Sequence, residues 1–350
     1  MPDSYSYLKA LRHPLVLGSI RAGVPVALPH VEIILADLCQ QACTFCSYRL
    51  PGYTSNQLFD DKRMMPEAKA FEILEDCAAM GVKAVQFTGG GEPTVYPKFK
   101  EVLERTIALG LKFSLVSNGV RIDEKLAPLV AKAEWVRISL DASQEETYVQ
   151  IRRIHRSQWQ KAQEAVRLIK AQQTPCVLGV GFVVTPDNWR EIYEAAKLAK
   201  GLGADNFRLS AMFSSEDERI FAPFHQEAAA LAKQAEALTS PSFTVYNRFA
   251  DRITDLTLKN PEDALCGYQF FTTYIGADLN VYRCCGYAYN ERGKMGSLKE
   301  QSFKDFWLAQ QRFDEQKSFD ARGCERCQFR NQNKALAYVL APSQIHEEFV

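Results

Sequence analysis

The chain has 350 residues, of which 47% are hydrophobic, enough for one barrel-sized domain and a smaller unit. Its 42 basic and 42 acidic residues give a formal net charge of zero, so nothing predicts a nucleic-acid groove or an affinity for an acidic membrane surface. The apolar runs are about as long as a strand, which is too short to span a bilayer.

The N-terminal residues contain no long apolar stretch and no small-residue cleavage site, so we expect no signal peptide. Ten cysteines in a chain without an export signal indicate metal or redox chemistry rather than disulfides. A cytoplasmic protein with oxygen-sensitive centres is therefore expected.

Strand-like apolar runs alternate with amphipathic helical stretches, several of which end at a glycine, a common helix stop. The predicted strands are residues 31–36, 84–89, 112–117, 135–140, 178–184 and 206–211. Six β–α repeats predict an α/β fold with a parallel sheet and helices outside it. Reactive groups are then expected at the carboxyl ends of the strands.

A different pattern begins after the sixth strand. It contains a strand-like run before a Cys-Cys pair, a helical segment and a final helix. We divide the chain into an N-terminal extension (1–30), a barrel (31–240), a small α+β domain (241–330), and a C-terminal helix and tail (331–350).

Three cysteines follow the first predicted strand with the spacing C-x3-C-x2-C: Cys39, Cys43 and Cys46. Three thiolates hold three irons of a [4Fe–4S] cluster and leave the fourth iron open for reaction. The simpler alternative is a structural metal knuckle, but no fourth cysteine or histidine follows within the next thirty residues.

This loop, with Phe45 before the last cysteine, resembles the cluster loop of the radical S-adenosylmethionine (SAM) superfamily. The resemblance implies a partial (β/α)6 TIM-like barrel whose open iron chelates SAM. Reductive cleavage of SAM would give a 5′-deoxyadenosyl radical that takes hydrogen from a substrate.

The resemblance also assigns positions around SAM. Gly90, Gly91 and Glu92 match the turn that contacts the methionyl amino group. Ser117 and Asn118 resemble the ribose-contacting positions.

For the SAM carboxylate the resemblance implies Ser139 with an arginine one helix on. Arg153 is our candidate, with Arg152 as the alternative, because an arginine fork suits a carboxylate. Phe45 is expected to pack on the adenine.

Four further cysteines lie near the C-terminus: Cys266, Cys284, Cys324 and Cys327. Four thiolates can saturate one [4Fe–4S] cluster or one zinc ion. The segment resembles the shortened auxiliary-cluster domain called Twitch, related to SPASM, which favours iron. No cysteine follows Cys327, so two clusters are expected in all. Cys285 is a neighbour, an alternative ligand to Cys284 or a hydrogen-atom donor.

These features predict a radical SAM enzyme that modifies a ribosomally made peptide or natural product. One alternative is oxidation or rearrangement of an aminocyclitol, sugar or nucleotide; another is an iron–sulfur electron carrier or scaffold. Expected partners are a flavodoxin- or ferredoxin-type electron donor and a separate leader-peptide-binding protein, since residues 1–30 are too few for such a domain.

Overall fold

A computed structural model describes residues 5–50, 57–214, 216–258 and 260–341. Its strands form a single ten-stranded sheet in the order β10-β9-β8-β1-β2-β3-β4-β5-β6-β7. The strands are β1 (His30–Ile33), β2 (Ala84–Phe87), β3 (Lys112–Ser117), β4 (Trp135–Ser139), β5 (Val177–Val184), β6 (Asn206–Ala211), β7 (Thr244–Arg248), β8 (Thr272–Ile275), β9 (Asn280–Tyr282) and β10 (Lys294–Ser297).

The helices follow the strands in alternation and then close the chain. They are α1 (Pro14–Ala22), α2 (Glu67–Met80), α3 (Phe99–Ala108), α4 (Ala127–Val130), α5 (Glu145–Arg152), α6 (Ser157–Ala171), α7 (Ile192–Gly201), α8 (His225–Glu236), α9 (Phe249–Thr257), α10 (Phe303–Leu308), α11 (Gln310–Lys317) and α12 (Arg330–Leu340).

The sheet from β1 to β7 is parallel throughout. The predicted α/β class and the six predicted strands are confirmed, and the barrel is open rather than closed. β7 is an additional strand that pairs with β6, so the sheet continues past residue 240, the boundary chosen from the sequence. Its sequence, TVYNR, is too polar to read as a buried strand.

The two faces of the sheet differ in chemistry because side chains alternate along each strand. Residues such as Phe87, Leu115 and Phe207 are buried in the core formed with the helices. The other face carries polar groups, among them Glu32 and Arg208. A polar inner face is suited to holding a ligand rather than a packed apolar core.

The C-terminal segment joins the same sheet through β8, which pairs in parallel with β1. β9 and β10 then continue in antiparallel fashion. The N-terminal extension lies against this segment, where Val16 and Ile20 of α1 pack with Phe270 and Phe313. Within the described ranges, no helix has the length and apolar character needed to cross a bilayer.

Candidate active site and a second cysteine-lined cavity

The loop bearing Cys39, Cys43 and Cys46 follows β1 and is fixed by the end of α5. The backbone amide of Ala42 donates to the carbonyl of Arg152 at 3.1 Å, and that of Thr44 donates to the carbonyl of Ile151 at 2.8 Å. These bonds occupy carbonyls that a helix end leaves without an intrahelical partner. The cysteines are thereby placed at the carboxyl end of the sheet.

The glycine-rich turn after β2 packs directly on the same loop. The amide of Gly91 donates to the carbonyl of Ala36 and that of Glu92 to the carbonyl of Leu38, each at 2.9 Å. A Cβ at Gly91 would lie 2.0 Å from the carbonyl oxygen of Leu38. Only glycine permits this approach, so the turn and the cysteine loop form one unit.

Glu92 joins that unit to the end of β3. Its Oε1 accepts hydrogen bonds from the amide and hydroxyl of Thr94 and from the Ser117 hydroxyl, the last at 2.7 Å. Its Oε2 accepts from the amide of Asn118 at 2.8 Å. A buried carboxylate with four donors is held in one position, and it holds Ser117 and Asn118 in turn.

The predicted SAM-site residues line one cavity of about 330 Å³, here called the Cys39 cavity. Those that line it are Cys39, Cys43, Phe45, Cys46, Gly90, Gly91, Glu92, Ser117, Asn118 and Ser139. Arg153 does not: it is exposed, with a left-handed backbone, at the end of α5. Arg152 lines the cavity instead, because α5 buries the face that carries Tyr148, Ile151 and Arg152.

Arg152 forms a buried ion pair with Asp141, in which its Nη2 donates to Oδ2. The same nitrogen donates to the carbonyl of Ser139 at 2.9 Å, and Nη1 donates to Gln41 and lies 3.9 Å from the sulfur of Cys43. Burial raises the pKa of Asp141, and the Arg152 charge opposes that shift. The guanidinium therefore stands beside the cysteine loop with its orientation fixed.

The three thiols of the Cys39 cavity are hard to ionise without a compensating cation. Burial, followed by the charge of Glu92, raises the pKa of Cys39 to about 12. Burial also raises the pKa of Cys43 and of Cys46. A coordinated metal ionises such thiols, so this site suits a positively charged centre.

The four C-terminal cysteines line a second cavity of about 50 Å³, here called the Cys266 cavity. Cys266, Cys284, Cys324 and Cys327 surround it together with apolar side chains including Leu256. Asn333 Nδ2 donates to the sulfur of Cys327 at 3.5 Å. Four thiols around a small, mostly apolar cavity fit a fully ligated cluster.

The number of thiols at each cavity fits an iron–sulfur cluster. Each thiolate of a [4Fe–4S] cluster binds a different iron, so the sulfurs stand apart around a cavity. The donor sets present, three thiols beside the larger cavity and four around the smaller one, fit the predicted centres.

Cys285 directly follows Cys284, which lines the Cys266 cavity, but is itself absent from the described lining of both cysteine cavities. Its sulfur accepts a hydrogen bond from Gln328 Nε2 at 2.8 Å, and the side chain packs with Tyr274 and Tyr289. Burial raises its pKa to about 12. A role as ligand or hydrogen-atom donor stays a prediction.

Comparison with protein families finds one family model for the cysteine segment of each cavity. The model of the radical SAM superfamily matches residues 33–199, which include the Cys39 loop and the glycine turn. The SPASM iron–sulfur cluster-binding domain matches residues 266–328, which include all four cysteines of the Cys266 cavity. The chain belongs to the radical SAM superfamily. Its cofactors are accordingly a [4Fe–4S] cluster, SAM and an auxiliary iron–sulfur centre.

Among radical SAM proteins, the chain is 28% identical over 311 residues to mycofactocin maturase MftC of Mycobacterium tuberculosis, covering 84% of this chain and 74% of the relative. It is 31% identical over 182 residues to PqqA peptide cyclase of Gluconobacter oxydans, covering 51% of this chain and 48% of the relative. Shorter matches, over 116 to 132 residues, are to proteins named as nucleotide dehydratases and GTP cyclases. The chain spans about a quarter to a half of the first curated relatives it matches.

The radical SAM fold is shared with SuiB of Streptococcus suis in its structure with the precursor peptide SuiA. That structure superposes with a TM-score of 0.63 at 15% identity, covering 91% of this chain and 74% of SuiB. At this identity the likeness concerns the fold.

Three residues near the radical SAM site escaped the sequence analysis: Gln41, Arg208 and Arg252. Gln41 bridges Arg152, Tyr148 and the cysteine loop. Arg208 and Arg252 line the Cys39 cavity from β6 and α9. The arginine between Phe207 and Leu209 in the predicted strand NFRLSA was the available signal for Arg208, since arginines are rarely placed in the middle of a sheet strand that packs in the interior.

Proposed function

We propose that the chain is a radical SAM maturase that modifies a ribosomally made peptide. The observation that carries the proposal is the shared wall of the two cysteine-lined cavities, to which Phe213 and Arg252 both contribute. A substrate held there would lie between the SAM site and the auxiliary centre. The names of MftC and PqqA peptide cyclase and the SuiB–SuiA structure support a peptide as the substrate.

When bound, the cluster and SAM supply a 5′-deoxyadenosyl radical that removes a hydrogen atom from the substrate. The protein's part is to position SAM and exclude water. Glu92 and the backbone of Gly91 are suited to the methionyl amino group, while Arg152 and Ser139 are suited to the carboxylate. Phe45 provides an apolar surface in the same cavity. Asp141 keeps Arg152 charged and oriented.

The auxiliary site would accept an electron from the substrate, giving a net two-electron oxidation. Four cysteines line its cavity, so no iron would be left open to bind substrate. Arg283, which lines the same cavity, lies 4.1 Å from the centroid of the Phe319 ring. Its positive charge would stabilise the reduced, more negative state of such a centre.

A flavodoxin- or ferredoxin-type electron donor and a separate leader-peptide-binding protein belong to the same proposal, as does a cytoplasmic location. All ten cysteines are free thiols in the structure, which agrees with a reducing compartment. Replacing dithionite by reduced flavodoxin would test the donor.

The proposal is tested by anaerobic reconstitution with iron and sulfide, followed by SAM, dithionite and short peptides encoded beside the gene. We expect about eight irons per chain, 5′-deoxyadenosine, and one peptide whose mass or stereochemistry changes. Cys324→Ala with Cys327→Ala should retain SAM cleavage and lose the modified peptide.

Other outcomes would redirect the assignment. About four irons and one zinc would leave the radical chemistry and remove the auxiliary electron acceptor. Peptides unchanged beside a converted sugar, aminocyclitol or nucleotide would establish the small-molecule alternative. Absence of 5′-deoxyadenosine under strong reduction would indicate an electron carrier or scaffold.

A further inference from the structure

A third cavity, of about 140 Å³, adjoins both cysteine-lined cavities and is here called the Arg208 cavity. It shares Arg208, Ser210 and Arg252 with the Cys39 cavity. It shares Arg252, Asp255, Gln328 and Phe329 with the Cys266 cavity. We propose that the Arg208 cavity binds a carboxylate of the substrate and so positions the substrate between the two centres. This inference rests on the proposed function and specifies its substrate as a peptide that presents a carboxylate, from an acidic side chain or from its C-terminus.

Arg208 is the residue that an incoming anion would meet. It lies in the middle of β6, and no acidic side chain of the described chain is within ion-pair distance of it. Its Nε is buried without a hydrogen-bond partner. The ring of Tyr5 covers the guanidinium at 5.5 Å and does not neutralise it. A partly buried guanidinium without a counter-charge is costly, so the fold retains a cation that a ligand would stabilise.

The other charged side chains that line the cavity form ion pairs with one another and leave the charge of Arg208 uncompensated. Arg248 and Arg252 have acidic partners, Asp251 at 2.6 Å and Asp255 at 3.3 Å. With these two pairs neutral, Arg208 remains as an unbalanced positive charge in the cavity. Its pKa is lowered to about 9, first by burial and then by Arg137, Arg252 and Arg248, so it stays protonated at neutral pH.

The shape of the cavity also favours a carboxylate. Ser210, Gln328 and Gln332 add neutral hydrogen-bonding groups around the arginine. Arg137 Nη2 donates to the Tyr5 hydroxyl at 2.7 Å and so holds Tyr5 over Arg208. An arginine fork bonds both oxygens of a carboxylate, which gives orientation as well as affinity. A glutamate or aspartate side chain and a C-terminal carboxylate share this chemistry.

The carboxylate of SAM is the competing ligand, because Arg208 also lines the Cys39 cavity. Arg152 is the better candidate for SAM, since it stands beside Cys43 and the end of β4. Arg208 lies on β6, separated from β4 by β5. The two arginines can thus serve two different carboxylates, and the experiment separates them.

The experiment uses reconstituted protein with SAM bound and scores binding without turnover. Arg208 is labelled with phenylglyoxal, and its labelling is mapped by mass spectrometry in the presence of three probe peptides. The probes are acetyl-Ala-Glu-Ala-amide, acetyl-Ala-Gln-Ala-amide and acetyl-Ala-Ala-Ala with a free C-terminus. We expect the glutamate probe or the free C-terminus to slow labelling about tenfold, consistent with a charge-assisted pair, and the glutamine probe to have little effect.

The matching variants are Arg208→Gln and, as a control, Arg167→Gln on the outer surface of α6. Binding of the protecting probe to the variants is measured by equilibrium dialysis, because R208Q has no Arg208 to label. R208Q should weaken this binding about tenfold and leave the affinity for SAM unchanged, while R167Q changes neither. Equal protection by all three probes, or by none, would overturn the proposal. Weaker SAM binding in R208Q would assign Arg208 to SAM instead. These readouts are independent of whether any peptide is modified, so a failed maturation assay would not be mistaken for a failed carboxylate site.

Discussion

The guanidinium of Arg252 lies 4.3 Å from the centroid of the Phe213 ring, and this pair stands where the Cys39 and Cys266 cavities meet. Arg252 is also paired with Asp255, 3.3 Å away, which lines the Cys266 cavity. The pair therefore forms the partition between the Cys39 and Cys266 cavities, and both of these cavities adjoin the Arg208 cavity. Shielding of the auxiliary centre should depend on it.

Phe213→Ala should leave the iron content after anaerobic reconstitution unchanged and speed the loss of the auxiliary centre in air. Removing the ring joins the two cavities and admits solvent and oxygen to the four-thiolate site. The measurement is the decay of iron–sulfur absorbance after exposure to air, with Phe45→Ala as a control that enlarges only the Cys39 cavity. Equal decay rates in the wild type and F213A would contradict the partition.

Replacing Cys39, Cys43 and Cys46 together by Ala should remove about half of the reconstituted iron and all SAM cleavage. The variant loses every ligand of the open centre, whereas the Cys266 cavity is untouched. Iron analysis and chromatography of 5′-deoxyadenosine give the result. Cys77→Ala is the control, because Cys77 is fully buried in the core between α2 and the sheet. Continued SAM cleavage in the triple variant would refute the assignment of the loop.

Arg152→Gln should destabilise the protein by about 3–5 kcal/mol, since it leaves the Asp141 carboxylate buried without its counter-charge. It should also weaken SAM binding. Arg153→Gln is a matched control one residue away, on an exposed side chain. Urea unfolding and SAM titration distinguish the two. Loss of SAM affinity in R153Q alone would restore Arg153 as the carboxylate ligand.

Glu92→Gln should cost about 1–3 kcal/mol of unfolding free energy. The glutamine carries an NH2 group in place of one carboxylate oxygen, and this group would face an N–H or O–H donor whose hydrogen bond Glu92 now accepts. The ends of β2 and β3 would lose their common anchor, so SAM affinity should fall as well. Glu124→Gln, at an exposed position, is the control. Unaltered SAM binding in a destabilised E92Q would leave Glu92 with a structural role only.

Glu32 should make stability depend on pH in a direction opposite to that of an ordinary carboxylate. Burial raises its pKa from 4.5 to about 8, and Gln86 Nε2 donates to it at 2.9 Å. Between these values the unfolded chain releases a proton that the folded chain keeps. The contribution of Glu32 is therefore complete below pH 4.5 and is lost as the pH rises towards 8.

Glu32→Gln should consequently be more stable than the wild type at pH 8 and nearly equal to it at pH 5, because the amide cannot ionise. Urea unfolding across this range, compared between the two proteins, provides the measurement. A stability difference independent of pH would show that Glu32 is ionised in the folded state.

The features that could be predicted from the sequence are those that depend on local residue patterns, namely the strands and the cysteine and glycine motifs. Strands β1 to β6 follow from alternating apolar runs, and the cysteine and glycine motifs fall at strand ends because parallel strands share one carboxyl edge. The choice between Arg152 and Arg153 could not be made, since one residue turns a helix by about 100° and only packing shows which face is buried. Arg208 escaped because its significance depends on the absence of an acid on neighbouring strands, a non-local property.

The pairing of β8 with β1 has a consequence for how the chain can be divided. A fragment ending after α9 would leave β1 with a row of unsatisfied backbone donors and acceptors open to other chains. Such a fragment is expected to self-associate even though it contains the whole Cys39 loop. The C-terminal segment thus protects the edge of the barrel sheet from self-association, in addition to carrying the second cofactor site.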